Sequence, residues 1–148
     1  MFELDARLKN DTYVLGEWPL SMVLLHRDSN FPWCILVPKR AGASEIHTLN
    51  DRDQLALFEE SRLLSRAMTT VFAPDKMNIA ALGNVVKQLH VHHIARYVDD
   101  AAWPAPVWGA VSEKAYEDSN LRVRIEILRR ELDGVRGFVQ SLQKHLDL

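Results

Sequence analysis

The chain has 148 residues, 47% of them hydrophobic, a formal net charge of −2 and one cysteine. This length suits one domain spanning 1–148 with a core of its own, the charge speaks against a nucleic-acid polymer as partner, and a single thiol excludes an internal disulfide or a multi-cysteine zinc module. No apolar run reaches the length of a membrane span, and Met1-Phe2-Glu3-Leu4-Asp5 carries no signal-peptide pattern, so the expected setting is the cytoplasm with no membrane partner.

Residues 2–10 set Phe2, Leu4 and Leu8 among charges and read as weakly helical. Asp11-Thr12 and Gly16 bracket a short strand around Tyr13–Leu15, and Trp18-Pro19 marks a turn. Leu20–Leu25 is a short apolar run that predicts a buried strand. The polar turn His26-Arg27-Asp28-Ser29-Asn30 leads to a second strand, Cys34–Val37, ended by Pro38, and the two form an antiparallel hairpin. Asn50 is placed to cap a helix from Asp51 to about Phe72, with Asp53 in its first turn. Leu57, Leu64, Met68 and Val71, with Phe58 and Ala67 beside them, keep helical spacing and predict a core-facing stripe. Ala73-Pro74-Asp75 stops that helix. Met77–Leu82 then predicts a strand, Gly83-Asn84 a turn, and Val85–Ala95 the returning strand of a second hairpin. Prolines stiffen the loop holding Trp103 and Trp108, two rings that either cap the core or wall a cleft. From about Glu117 to Leu146, the series Leu121, Ile125, Leu128, Leu132, Val135, Val139, Leu142 and Leu146 predicts a long helix, weakened at Gly134 and Gly137. Its seam serves its own domain, pairs two subunits or offers a binding surface for another protein.

The chemistry concentrates in Gln88-Leu89-His90-Val91-His92-His93-Ile94, which holds three of the six histidines. On a strand, alternation places Gln88, His90, His92 and Ile94 on one face and Leu89, Val91 and His93 on the other. Three readings compete: a half-solvated strand without chemistry, a zinc chelate, or nucleophilic catalysis by one imidazole assisted by its neighbour. A metal needs further ligands, and His26, His47 and Cys34 show no ligand spacing.

The run resembles the signature of the histidine-triad (HIT) superfamily, His-φ-His-φ-His-φ-φ with φ apolar, preceded by Gly-x-x-Val-x and often followed by Pro-Arg. Here it reads Gly83-Asn84-Val85-Val86-Lys87, then the histidine run, then Ala95-Arg96. Phe31-Pro32-Trp33-Cys34-Ile35-Leu36-Val37-Pro38-Lys39-Arg40 resembles the upstream strand and turn of the same superfamily, and the likeness covers about 20–109. His90 and His92 fill the second and third triad positions. Gln88 stands at the first, and His93 replaces an apolar φ residue, which suits a bacterial HIT-like hydrolase branch with glutamine at the first position.

The resemblance implies an α+β fold: a mostly antiparallel sheet of about five strands, one long helix and an added C-terminal helix. The core would span about 12–109, with a helical extension over about 112–148. It also implies a homodimer. The implied activity is nucleotide hydrolysis or nucleotidyl transfer at the α-phosphate through a covalent nucleotidyl-histidine, with neither cofactor nor metal. His90 is then the nucleophile, His92 the proton donor or charge stabiliser, and Gln88 a non-titrating support. The small nucleotide substrate would be held by Asn78 and the Gly83-Asn84 turn at phosphate, and by His26 and Asp28 at the ribose. Val85 stands where relatives often carry a hydroxyl, and Cys34 where many carry a further histidine. These departures fit the alternative, a nucleotide-binding or interaction protein that has lost turnover.

Overall fold

The computed structural model describes residues 1–141. In chain order it forms α1 (Ala6–Asp11), β1 (Thr12–Glu17), β2 (Ser21–His26), β3 (Trp33–Pro38), a 3-10 turn (Ile46–Thr48), α2 (Asp51–Phe72), β4 (Lys76–Ala80), β5 (Val91–Arg96), α3 (Asp118–Leu132) and β6 (Val139–Gln140). The six strands make one antiparallel sheet in the order β4-β5-β3-β2-β1-β6. The fold is α+β, as expected, with one strand beyond the five.

Strand alternation divides the interior into two cores. Cys34 and Leu36 of β3, Val23 and Leu25 of β2, and Val91 and Ala95 of β5 face α2 and α3. Trp33, Ile35 and Val37, with Leu24 and Ile94, face the opposite side, where Leu8 of α1 and Val107 cover them. Every residue of β3 and β5 is buried, as central strands covered on both faces require.

Helix α2 begins where expected. Asn50 Oδ1 accepts from the Asp53 backbone N–H at 2.8 Å, and the two early aspartates sit at the positive end of the helix. It ends on Ala73 in the left-handed region, just before Pro74. Its buried stripe holds Leu57, Leu63, Leu64, Ala67 and Met68, whereas Phe58 turns outward at 73% exposure.

Two expected elements differ. The strand read over Val85–Ala95 starts only at Val91: the chain leaves the sheet after Ala80 and turns at Gly83, whose φ of +83° is left-handed. Polar groups of residues 81–90 pair elsewhere: the Leu89 N–H donates to Ala43 O, and the Gln88 side chain bonds the N-terminal backbone. Helix α3 stops at Leu132, well short of the length read from the heptad pattern. Gly134, Arg136 and Gly137 all have positive φ and turn the chain back toward β1. Leu121, Ile125, Leu128 and Leu132 join the main core, so the described part of the seam packs on its own fold. Val139 instead lies exposed in β6, while Leu142 and Leu146 fall outside the described residues. The β1–β6 pairing needs Gly16: a Cβ there would run into the Val139 carbonyl and the Phe138 ring.

No helix among the described residues is long and apolar enough to cross a membrane.

Candidate active site

His90 precedes β5, yet the alternation of the strand extends to it. The His90 and His92 rings share one face, with centroids 5.0 Å apart and planes at 77°. His93 turns to the helical side, where its Nδ1–H donates to Val91 O at 3.0 Å. That leaves His93 Nε2 as the acceptor for the Ser61 hydroxyl at 2.7 Å, and burial pulls the ring down to about 4, so it is neutral in the fold.

The tautomers of the two site histidines follow from their partners. A carbonyl oxygen only accepts, so the 2.7 Å contact between His90 Nδ1 and Gln88 O places the hydrogen on Nδ1. In the neutral ring Nε2 then carries the lone pair. An indole N–H only donates, so Trp33 Nε1 at 2.9 Å makes His92 Nδ1 an acceptor and leaves the hydrogen on Nε2. Burial, then the neighbouring His90, His26 and His93, push His92 down to about 3. The pair thus combines one ring with a nucleophilic lone pair and one neutral ring with a donor.

Both rings line a cavity of about 710 Å³. Its other walls include Arg7, Leu8 and Asp11 of α1, His26 and Arg27 at the end of β2, Trp33 and Ile35 of β3, and the turn 82–86. Trp108 closes one side, edge-on to His92 at 5.0 Å and to Trp33 at 5.7 Å. It therefore walls the cleft, whereas Trp103 lies against the Arg96 guanidinium, 5.8 Å from ring centroid to Cζ.

The residues singled out from the sequence divide into groups. His90, His92, His26, Gly83 and Asn84 all line the cavity. His26 stacks on Trp33 at 3.9 Å with planes 10° apart, and its Nδ1 accepts from the Asp28 N–H at 3.0 Å. Asp28 itself does not line the cavity: its carboxylate accepts from the Asn30 N–H and side-chain amide and from the Lys114 N–H. Asn78 is also elsewhere, on β4, where its Oδ1 accepts from Arg96 Nη1 at 2.9 Å. The Gln88 side chain bridges the N-terminal segment, accepting from Asp5 N–H at 2.9 Å and donating to Glu3 O at 2.8 Å. Only its backbone carbonyl serves His90 directly. A smaller cavity of about 260 Å³ lies beside Gln88 and His47 and also touches His90. Cys34 is fully buried, and desolvation pushes its thiol up to about 12, far from a reactive thiolate. Among the described residues no group of three or more His, Cys, Asp or Glu is arranged to hold a metal ion.

Three contributors were missed in the sequence. Trp33 carries the bond that sets the His92 tautomer, and the register Ile35↔His92 puts it within reach. A tryptophan two positions from that register partner, on the same face, was the available signal. Arg7 and Arg27 reach the cavity through packing of α1 and the end of β2, which no local pattern announces.

Comparison with known proteins gives the family and the fold. The family model described as HIT domain matches residues 7–99. Among solved structures, a histidine triad protein from Bradyrhizobium japonicum is 48% identical, with a TM-score of 0.86 over 88% of this chain and 97% of its own. One from Marinobacter aquaeolei is 47% identical, with the same TM-score over 89% of this chain and 96% of its own. One from Sinorhizobium meliloti is 38% identical, again at 0.86, over 88% and 97%. No curated protein matches the chain.

Proposed function

This chain belongs to the HIT domain family, and from that premise we propose that it is a nucleotide phosphohydrolase or nucleotidyltransferase acting through a covalent nucleotidyl-His90. The observation that carries this reading is the 2.7 Å bond from His90 Nδ1–H to Gln88 O, made at the wall of the cavity. It selects the tautomer whose Nε2 lone pair can attack phosphorus, and it stabilises the cationic ring formed once the N–P bond exists. His92 Nε2–H supplies a donor to the phosphoryl oxygens. The turn at Gly83 and Asn84 brings backbone to the cavity wall, and Arg7 adds positive charge there, whereas Arg27 is paired with Asp11 and Glu113. The stacked His26 and Trp33 offer aromatic surface for the nucleoside. Nucleoside phosphoramidates, adenylylated compounds and dinucleoside polyphosphates are the substrate classes in range.

Covalent trapping tests this directly. Protein incubated with an α-phosphate-labelled adenylyl donor, using one anhydride and one phosphoramidate in parallel, is quenched in alkali, where phosphoryl-imidazole survives. Label is expected on a peptide containing His90. Saturating binding with no label from either donor would favour the rival reading, a nucleotide-binding protein without turnover. The engagement of the Gln88 amide with the N-terminal backbone, and the absence of a hydroxyl at Val85, are what support that rival.

We also propose a homodimer. Among the described residues the outer edge of β4 has no strand partner, Ile79 on it is 53% exposed, and Leu55 and Phe58 of α2 are each 73% exposed. Light scattering should give twice the 17.0 kDa of the chain, and a charged residue in place of Ile79 should halve that mass. A monomeric wild type at micromolar concentration would rule the dimer out.

A further inference from the structure

Trp33 does more than line the cavity. Its indole can only donate, and it donates to His92 Nδ1 at 2.9 Å in a buried setting. Were His92 to become imidazolium, two N–H groups would meet head-on. Trp33 has little room to yield: it is 5% exposed, stacked on His26 at 3.9 Å, and edge-on to Trp108 at 5.7 Å. His26 is itself held by the Asp28 N–H. Among the described residues no carboxylate bonds His92, and Asp11 on the same cavity wall is turned to Arg27. His90 lies beside it on the same strand run, and His26 is across the Trp33 ring. Arg27 on the cavity wall is already paired with Asp11 at 3.2 Å and Glu113 at 2.9 Å. Desolvation acts in the same direction as the indole, holding His92 neutral.

Resting on the nucleotidyl-transfer reading above, we propose that Trp33 is a positioning residue that keeps His92 neutral through the reaction and thereby restricts the site to leaving groups that depart as stable anions. The preferred substrates are nucleotidyl anhydrides, in which the α-phosphate is joined to a phosphate or a carboxylate. Phosphoramidates of basic amines and esters of alkanols are disfavoured.

The chemistry balances without a proton donor in the first step. His90 Nε2 bonds to the α-phosphorus, the P–O bond to the leaving group breaks, and its electron pair leaves on the phosphate or carboxylate oxygen. The His90 ring, with Nδ1–H still on Gln88 O, carries the positive charge. Water then bonds to phosphorus, the N–P bond breaks with its pair returning to Nε2, and one water proton passes to solvent. The neutral His92 Nε2–H stabilises phosphoryl oxygen in both steps and transfers no proton. An amine leaving group, by contrast, must be protonated as it leaves, and such general-acid help is worth about a hundredfold to ten-thousandfold.

The test uses the full chain and a series of adenosine 5′-phosphoryl substrates with leaving groups from nitrophenol to alkanol, plus a matched anhydride and amine phosphoramidate. At neutral pH, kcat/KM is expected to fall steeply with leaving-group basicity, the anhydride exceeding the phosphoramidate by about a hundredfold or more. Nitrogen NMR of the wild-type imidazoles should give a neutral His92 protonated on Nε2. Trp33→Phe removes the indole donor and keeps an aromatic ring. It should narrow the anhydride-to-phosphoramidate ratio and add an acid-side rise to the phosphoramidate profile. A flat leaving-group series, a cationic or Nδ1-protonated His92 at pH 7, or an unchanged ratio in Trp33→Phe would overturn the proposal. If no member of the series is turned over and none labels His90, the nucleotidyl-transfer reading falls and the leaving-group claim falls with it. Nitrogen NMR of Trp33→Phe beside wild type then still decides whether Trp33 sets the tautomer.

Discussion

Replacing His90 by alanine is expected to lower turnover of a nucleotidyl substrate by at least about ten-thousandfold, as loss of a nucleophile does elsewhere. Nucleotide affinity should stay within a few-fold of wild type. The asymmetry follows from where the ring sits. His90 contributes one nitrogen to the cavity and one hydrogen bond to Gln88 O, while the aromatic surface of His26 and Trp33 and the turn at Gly83 belong to other elements. Removing the imidazole therefore deletes the attacking atom and leaves the proposed nucleoside contacts standing. The check is steady-state kinetics beside the dissociation constant of a non-hydrolysable nucleotide, with thermal unfolding to show that the fold is intact. Hydrolysis near the wild-type rate would remove His90 from the nucleophile role.

The largest effect on stability is expected at Arg96. This side chain is 1% exposed. Its Nε and Nη2 grip both Asp100 oxygens at 2.7 and 3.1 Å, Nη1 reaches Asn78, and Nη2 also reaches Ala105 O. Asp100 further accepts from the Tyr97, Ala102 and Trp103 N–H groups. Burial alone would raise the Asp100 carboxyl, but the Arg96 fork and these N–H donors outweigh it and hold the group well below the usual carboxylate range. Arg96→Met would strand a buried carboxylate, which typically costs about 3–5 kcal/mol, or roughly 10 °C in Tm for a chain of this size. Substituting Asp100 in the same chain should recover part of that loss, because no unpaired charge remains. Denaturant unfolding of the two single variants and the double variant measures the coupling; simple additivity would show that the pair is not a unit. The site should feel the change too, since this network anchors the loop that carries Trp108 to His92.

Acid acts on the same fold in two windows. Asp100 has its pKa depressed by folding. Its contribution is full above the ordinary aspartate range and is lost as pH falls toward the lowered folded value. His92 and His93 are also depressed, to about 3 and about 4, from an ordinary 6.5. Between those values and 6.5 the unfolded chain binds more protons than the native one. Stability of the wild type therefore falls as pH is lowered through that interval.

Much of the fold was legible because its signals are local. Asn50 before Asp51 and Asp53 marks a helix start by cap chemistry alone, and the apolar runs of β2 and β3 read as buried strands without knowledge of their partners. The long C-terminal helix was misread for a reason equally local. Heptad spacing persists through Val135 and Val139, but a left-handed turn at Gly134, Arg136 and Gly137 breaks the helix that would have used it. A spacing pattern records which residues are apolar, not which backbone conformations lie between them. The seam residues up to Leu132 pack as the pattern implied, and those beyond do not continue the helix.

The sequence by itself determined the histidine pair on one face, the glycine turn before it and the family to which they belong, because period-two alternation and motif spacing are properties of the chain. Only the tertiary structure decided what each ring does. The proton on His90 is assigned by a carbonyl two residues away, and the proton on His92 by an indole 59 residues away. It likewise set Asn78 beside Arg96, took Asp28 off the cavity wall, and turned the Gln88 amide to the N-terminal backbone. A tautomer depends on which group lies within hydrogen-bond distance, and that distance exists only once the strands are in register.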